Sequence, residues 1–391
     1  MKGLAMVVTQ ITLMGGLLTV ASPAFAAPKP IIALAPIETL ITGQRELVGV
    51  AVAPDGTAYV SDRKDGTVLR LSPAGHLTVA VAGLRRPAGL ALDPDGRLLI
   101  AEPKRGRVLR LEPGGALTVL ASGLKRPRWL VAAPDGTLYI AADRLRQRTD
   151  GDEDDDGDDD ADDDGPRMIV RRDPVTGALT VVASGLRGLE ALALNGHVLY
   201  AAVKRVVVLA AVDGAVARYP LLPGGGLGTP TYLVSTGLNQ PVGLALDRLG
   251  ALYVTADELG PRGRKAKHAI GKVHPDGHLT ELARELREPQ GAALGPDGSL
   301  YVADGDEGRL LRFRAPPAPA FTGLPEFTNQ SPLTVTGTAE GEARVDLFVN
   351  DAATPVTGTA TTAGTFTLQV PPRSTPRMPW TPSPPPRAGT A

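Results

Sequence analysis

The stretch LRRPAGLALDPDGRLLIAEPKRGRVLRLEPGGALTVLASGL, residues 84–124, decides the fold. It contains four short apolar segments, GLALD, LLIAE, RVLRL and ALTVLASGL, which are separated by the turn sequences PDG, PKRG and PGG. Proline, aspartate and glycine at these places favour tight turns between antiparallel strands. The stretch therefore predicts a meander of four antiparallel strands.

The first strand of this meander recurs along the chain. A single four-stranded sheet has free edges and little core, so such a unit gains stability by repetition. Six copies begin at Val48, Ala88, Arg128, Leu189, Val242 and Gln290. Their spacing is typical of four-stranded propeller blades, with insertions in the later copies. The sequence therefore predicts an all-β fold, with a six-bladed β-propeller over residues 35–315.

The last repeat lacks a fourth strand, because its third strand leads directly into PPAPA at 316–320. A suitable strand, IETLITG, instead precedes the first repeat at 37–43. We expect this N-terminal strand to complete the last blade, since closure of the ring removes the free sheet edges.

The repeated pattern P-x-G-L-A-x-D-x-D-G-x-L-Y-V-A-D resembles NHL-type six-bladed propellers. It occurs at 87–102, 241–257 and 289–304. More broadly, it is similar to the propeller superfamily that includes gluconolactonases and related lactone hydrolases. The resemblance implies the fold, and because this fold hosts unrelated activities, the function has to be argued from the site.

The N-terminal segment 1–26 has the features of a cleaved signal peptide. Lys2 precedes an apolar region, and Ala24-Phe25-Ala26 forms a small-x-small cleavage sequence. A membrane anchor is the alternative interpretation of this segment.

The chain has no cysteine, which excludes disulfides and thiol chemistry. We expect an exported, periplasmic or extracellular monomer that does not span the membrane after signal cleavage.

The C-terminal part differs from the repeats in composition. Residues 316–322 are predicted to form a stiff, proline-rich linker. Residues 323–370 alternate apolar and polar positions and resemble the first half of a bacterial Ig-like module. Residues 371–391 are predicted to be a disordered tail, because their many prolines prevent strand pairing. The abrupt change at Pro371 leads to the hypothesis of an altered reading frame.

Basic residues gather in the loops that join second to third strands and fourth strands to the next repeat, here called the top rim. The net charge of −1 hides this, since twelve of the 42 acidic residues lie between Asp150 and Asp164. A basic rim attracts anions through its summed field, although a single exposed cation contributes little. We expect an anionic glycan, envelope polymer or protein as partner. Export and an aromatic content of 4% argue against nucleic acid.

The acidic insert, residues 149–165 in the third repeat, has three interpretations. It is a disordered, self-repelling loop, a segment that covers the basic rim and competes with anions, or a calcium site. The third follows from the D-x-D-x-D-G spacing of calcium loops. The candidate calcium ligands are Asp152, Asp154, Asp156, Asp160, Asp162 and Asp164. No other cofactor is expected.

Departures from the repeat mark a candidate ligand site, because ligands favour concave places such as the top of a propeller channel. Where four repeats have glycine, the third has Trp129 and the fourth has Glu190. The candidate ligand-binding residues are Arg128, Trp129, Glu190, Gln290, Arg86, Arg126 and Lys265. Trp129 has an alternative role as a packing plug.

Three functions remain open at this point, one of them a purely structural spacer. The first is a non-enzymatic binding module without catalytic residues. The alternative is a metal-dependent, gluconolactonase-like hydrolase that uses Glu190, since the lactone-hydrolase resemblance implies a divalent metal held by one Glu with Asn and Asp ligands. The corresponding asparagines are absent from this sequence.

One acidic residue ends most second strands, and we expect these carboxylates to cap turns. They are Asp62, Glu102, Asp143, Asp257 and Asp304.

Overall fold

The computed structural model describes residues 6–13, 16–23, 31–33, 36–145, 166–205, 214–233, 237–247, 250–260, 266–274, 279–315, 320–322, 332–339, 344–347 and 356–370. The acidic insert 149–165, Lys265 and the tail 371–391 lie outside these residues. The chain divides into two compact units, Met1–Ala315 and Pro316–Ala391. The described residues form strands, turns and one 3-10 turn at Pro103–Arg105, without an α-helix. Accordingly, none of them belongs to a helix that is long and apolar enough to cross a membrane.

The first two repeats form separate four-stranded antiparallel sheets, which confirms the meander predicted for 84–124. They follow a hairpin and two short strands, β1 (Met6–Leu13), β2 (Gly16–Pro23), β3 (Ile32–Ala33) and β4 (Ile37–Ile41). The first sheet contains β5 (Leu47–Val52), β6 (Ala58–Asp62), β7 (Thr67–Leu71) and β8 (Leu77–Val81). The second contains β9 (Leu90–Leu92), β10 (Leu98–Glu102), β11 (Arg107–Leu111) and β12 (Leu117–Ala121).

The third and fourth repeats share one seven-stranded sheet. Their strands are β13 (Leu124–Lys125), β14 (Trp129–Ala132), β15 (Leu138–Ala142), β16 (Arg144–Leu145), β17 (Pro166–Arg172), β18 (Leu179–Asn195), β19 (Val198–Arg205), β20 (Ala215–Pro220) and β21 (Thr231–Leu233). The two sheets merge because β18 is continuous. Its first half pairs with β17 and its second half with β19. Only β13 and β16 stand apart, as a two-stranded sheet.

The fifth and sixth repeats each receive a strand from the N-terminal segment. The fifth contains β22 (Leu238–Leu246), β23 (Leu252–Leu259), β24 (Ala266–Val273) and β25 (Leu279–Arg284), and the sixth contains β26 (Pro289–Leu294), β27 (Leu300–Asp304) and β28 (Arg309–Phe313). The predicted completion of the last repeat is present, since β4 pairs with β28 and Ile37 lies opposite Phe313. The pairing of β3 with β25 was not predicted.

The first strands of the repeats contact one another in the cyclic order β5, β9, β14, β18, β22, β26 and again β5. Glycine permits this approach: a Cβ atom at Gly49 would lie 2.2 Å from the Ala88 carbonyl oxygen. The Ser61 hydroxyl also joins these two strands. It accepts the Gly49 N–H at 2.8 Å and donates to the Ala88 carbonyl at 2.7 Å. Leu, Val, Ile and Ala side chains fill the layers between neighbouring sheets.

The second unit is a small all-β body. Its strands are β29 (Ala320–Phe321), β30 (Leu333–Thr338), β31 (Arg344–Leu347), β32 (Val356–Thr359) and β33 (Thr365–Val370). One sheet has the order β29-β30-β33, and β31 pairs with β32. Every second side chain of β33 is buried, as the predicted period-two alternation requires.

Candidate functional site

Three of the acidic residues that end second strands cap turns, as predicted. The Asp62 carboxylate accepts the backbone N–H of Arg45 at 2.9 Å, Glu102 accepts that of Arg85 at 2.7 Å, and Asp304 accepts that of Glu288 at 2.8 Å. All three carboxylates are fully buried. Their oxygens are occupied by the fold, so these residues are structural.

Asp143, in the third repeat, has different surroundings. Its Oδ1 lies 3.4 Å from Arg167 Nε and 3.9 Å from Arg128 Nε, and its Oδ2 lies 3.5 Å from Arg126 Nε. Arg126 and Arg128 precede β14, whereas Arg167 is the second residue of β17. Three guanidinium groups from two neighbouring segments therefore surround one carboxylate.

Arg167 links Asp143 to Glu190. Its side chain is only 4% exposed, and Nη1 donates to Glu190 Oε1 at 2.7 Å and to the Leu189 carbonyl at 2.9 Å. Lys204 Nζ lies 3.3 Å from the same Glu190 oxygen. We call this group the cation cluster, and its members are Arg126, Arg128, Arg167, Lys204, Asp143 and Glu190. Its named members are four cations and two carboxylates.

The cluster's electrostatics keep Glu190 ionised. Burial raises the pKa of the Glu190 carboxyl, but the charges of Arg167, Lys204 and Arg128 outweigh burial and hold this pKa below its usual range. Burial lowers the pKa of the Arg128 guanidinium, and the nearby Arg167 charge lowers it further. Arg128 is thus a cation in surroundings that disfavour its charge.

The Arg128 guanidinium makes no hydrogen bond with any described residue. Its Nε is buried, and the nearest carboxylate oxygen, that of Asp143, lies 3.9 Å away, beyond hydrogen-bond distance. Its side chain is 25% exposed, so one part of it faces solvent. An unsatisfied buried donor costs free energy, and an anion that reaches this group removes that cost.

Trp129, the first residue of β14, follows Arg128 and spans between the first strands of different repeats. It is 6% exposed. A Cβ atom placed at Gly291 would lie 2.7 Å from Trp129 Cη2, and one placed at Gly89 would lie 3.1 Å from Trp129 Cδ2. The indole therefore runs from β14 to β26, which are three positions apart in the cyclic order of the six first strands. This position fits the packing-plug interpretation of Trp129.

The far end of the indole is flanked by Gln290 and Glu288. Gln290 Nε2 donates to Glu288 Oε1 at 2.9 Å. On the neighbouring first sheet, Glu46 Oε1 lies 2.9 Å from Arg63 Nη1. The site thus has the cation cluster on one side of Trp129 and acidic residues on the other.

The structure brings together several of the predicted ligand-binding residues. Arg126, Arg128 and Glu190 belong to the cation cluster, Trp129 follows Arg128 in the chain, and Gln290 is next to Gly291, which the indole reaches. Arg86 occupies the loop of the second repeat that corresponds to that of Arg126, and both have a left-handed backbone, with φ of 55° and 44°. Lys265 and the six candidate calcium ligands lie outside the described residues.

Arg167 is the central residue that the sequence did not reveal. In the second and sixth repeats, a base pairs with the acid five residues before it, as in Glu102–Arg107 at 2.6 Å and Asp304–Arg309 at 2.8 Å. Arg167 is the equivalent partner of Asp143, but the acidic insert separates the two in the chain. An alignment of the third strands of the repeats would have identified Arg167 as the base that pairs with Asp143.

A divalent metal, as the lactone-hydrolase resemblance implies, does not fit these residues. Glu190 Oε1 already lies 2.7 Å from Arg167 Nη1 and 3.3 Å from Lys204 Nζ. The described residues contain no group of three or more His, Asp or Glu that would hold an ion. Asn239 donates to Glu258, and Asn195 lies at the other end of β18.

No family model and no curated protein matches the chain. Several solved structures are similar to the chain. A gluconolactonase of Xanthomonas campestris is 18% identical, with a TM-score of 0.57, covering 78% of this chain and 99% of that one. A putative gluconolactonase is 20% identical, with a TM-score of 0.54, covering 72% and 92%. An auxiliary nutrient binding protein of Bacteroides thetaiotaomicron is 12% identical, with a TM-score of 0.51, covering 69% of each chain.

These likenesses show the fold of the chain: it is a β-propeller with gluconolactonase-like structural neighbours. Two of the three neighbours are described as gluconolactonases. Because the sequence identities are 20% or less, the likeness shows the fold and does not show the chemistry of the site.

Proposed function

We propose that this protein is an exported binding module that recognises an anionic partner at the cation cluster. The observation that carries the proposal is the Arg128 guanidinium, whose Nε is buried and which has no hydrogen-bond partner among the described residues. Arg126 and Arg167 lie on the same Asp143 carboxylate as Arg128, so this place gathers three guanidinium groups. A carboxylate matches the planar donor geometry of arginine, so a carboxylate-bearing glycan, envelope polymer or protein is the partner class.

The architecture proposed for this module is six blades closed by β4. The cyclic contacts of the first strands and the pairing of Ile37 with Phe313 support it. We also propose signal-directed export, a monomeric state and a partial Ig-like module at 323–370. For the module, the alternation of buried residues in β33 is the support. Calcium binding by the acidic insert stays a proposal from sequence.

Titration calorimetry with oligogalacturonate, a carboxylate-bearing glycan, tests the binding proposal. We expect binding that weakens steeply as salt rises and that Arg128→Gln reduces at least about tenfold, equivalent to about 1.4 kcal/mol. Arg45→Gln is the control, because Arg45 is 65% exposed and outside the cluster. Equal affinity of wild type and Arg128→Gln would overturn the proposal.

The alternative function is lactone hydrolysis that involves Glu190. Two observations favour it: the gluconolactonase neighbours, and the position of Glu190 where other repeats have glycine in their first strand. Hydrolysis of glucono-lactone, measured with and without added divalent cation, separates the two functions through Glu190→Gln. A hydrolase loses its activity in this variant. A binding module keeps or increases its affinity for anions, because the cluster then has one negative charge fewer.

A further inference from the structure

The residues around Trp129 carry opposite charges on opposite sides. The cation cluster lies where β14, β17, β18 and β19 meet, and Glu288 precedes β26. Glu288 and Gln290 pack over Gly305, where an added Cβ atom would lie 3.0 Å from Glu288 Oε2. The indole of Trp129 reaches Gly291, next to Gln290, so a single aromatic ring system bridges the two sides.

Among the residues that the structure describes, no cation forms an ion pair with Glu288. Its Oε1 accepts a hydrogen bond from Gln290. The charged groups that act on it are Asp306, Glu46 and Arg63. Arg63 is engaged by Glu46 at 2.9 Å. Burial, followed by the charges of Asp306 and Glu46, raises the pKa of the Glu288 carboxyl.

The two sides need complementary groups. Among the described residues, the Arg128 guanidinium has no hydrogen-bonded carboxylate, and the Glu288 carboxylate is hydrogen-bonded by Gln290 without an ion pair. A simple anion satisfies the first and is repelled by the second. A molecule with a carboxylate at one end and an ammonium at the other satisfies both, provided that its length matches the indole between them.

We propose that the site binds a zwitterion, with its carboxylate at Arg128 and its ammonium at Glu288. This inference rests on the proposed anion-binding function and narrows it to ligands that also carry a positive charge. Amino acids whose amine lies at the opposite end of the chain from the carboxylate have this chemistry. Amino-sugar acids at the end of a glycan have it too. Glu288 is then a specificity-determining residue, and Trp129 sets the length of the ligand.

The test is calorimetric titration with γ-aminobutyrate, δ-aminovalerate and ε-aminocaproate, each compared with butyrate, valerate or caproate. We expect one amino acid to bind at least about tenfold tighter than its matched carboxylate at neutral pH. Glu288→Gln, which retains the side-chain size and the contact with Gln290, is expected to remove this preference and to leave carboxylate binding intact. Glu307→Gln, on the same rim, is the control.

The outcomes separate the two proposals. If an amino acid and its matched carboxylate bind equally, the zwitterion inference fails and anion binding stands. If Glu288→Gln keeps the preference, the ammonium does not lie at Glu288 and the inference fails as well. If neither class binds to wild type but oligogalacturonate does, the small-ligand inference fails alone. If no anion binds, both proposals fall.

Discussion

Arg167 donates from Nη1 to Glu190 Oε1 at 2.7 Å and thereby joins the third strand of one repeat to the first strand of the next. The same nitrogen donates to the Leu189 carbonyl, so the guanidinium is held by both the side chain and the backbone of β18. Because it is 4% exposed, its partners are not replaced by water.

Replacement of Arg167 by Gln is expected to destabilise the protein strongly. It leaves Asp143 and Glu190 with fewer cations in a buried place, and loss of one partner of a buried ion pair costs about 3–5 kcal/mol. Urea unfolding measures the change. Arg314→Gln, which removes a 59% exposed partner of Glu38, is the control, with an expected cost below about 1 kcal/mol. Similar small losses in both variants would contradict the buried-pair account.

The stability supplied by Glu190 is expected to depend on pH. Its folded-state pKa lies below the unfolded value of about 4.3, so the folded protein favours the ionised carboxylate. The contribution is therefore complete above the unfolded pKa and is lost as pH falls through the folded pKa. Unfolding free energies of wild type and Glu190→Gln should differ at pH 7 and converge toward pH 3. A constant difference across this range would be the contrary result.

Ser61→Ala is expected to cost about 2 kcal/mol of stability, because it leaves a buried backbone donor and acceptor, Gly49 N–H and Ala88 carbonyl, without their bridge. Thermal unfolding at fixed pH measures the loss. Ser72→Ala is the matched control, since the Ser72 hydroxyl bonds His76 N–H in an exposed turn, where water replaces it. Equal effects of the two substitutions would show that the bridge between β5 and β9 contributes little.

Gly291→Ala tests the close approach of β26, β5 and Trp129. The new methyl group would lie 2.5 Å from the Val48 carbonyl oxygen and 2.7 Å from Trp129 Cη2, so the backbone or the indole has to move. Overpacking of this kind costs about 1–3 kcal/mol or more. Gly114→Ala is the control, because nothing lies within 4 Å of a Cβ atom there. A stable Gly291→Ala protein with unchanged tryptophan fluorescence would contradict the packing described for Trp129.

The sequence predicts the strands well where the determinant is local and repeated. The turns PDG and PGG place the strands of 84–124, and the missing fourth strand after Phe313 predicts the pairing of β4 with β28. The continuity of β18 was not predicted, since it depends on the pairing of Arg187 with Arg205. No local pattern encodes that long-range contact.

The site is predictable only in part for the same reason. Trp129 and Glu190 stand out because they replace a repeated glycine. Arg167 does not, because its role arises from contacts with Asp143 and Glu190, from which it is distant in sequence. Likewise, the opposite charges at the two ends of Trp129 follow from the cyclic order of the strands and not from any segment of the chain.

Calorimetric titration of oligogalacturonate into wild type and Arg128→Gln at low and high salt tests the central claim most directly. The cation cluster predicts salt-sensitive binding to wild type and a loss of at least about tenfold in Arg128→Gln, with Arg45→Gln unchanged. Binding that is equally tight in Arg128→Gln, or that is indifferent to salt, would contradict an anion site at this cluster.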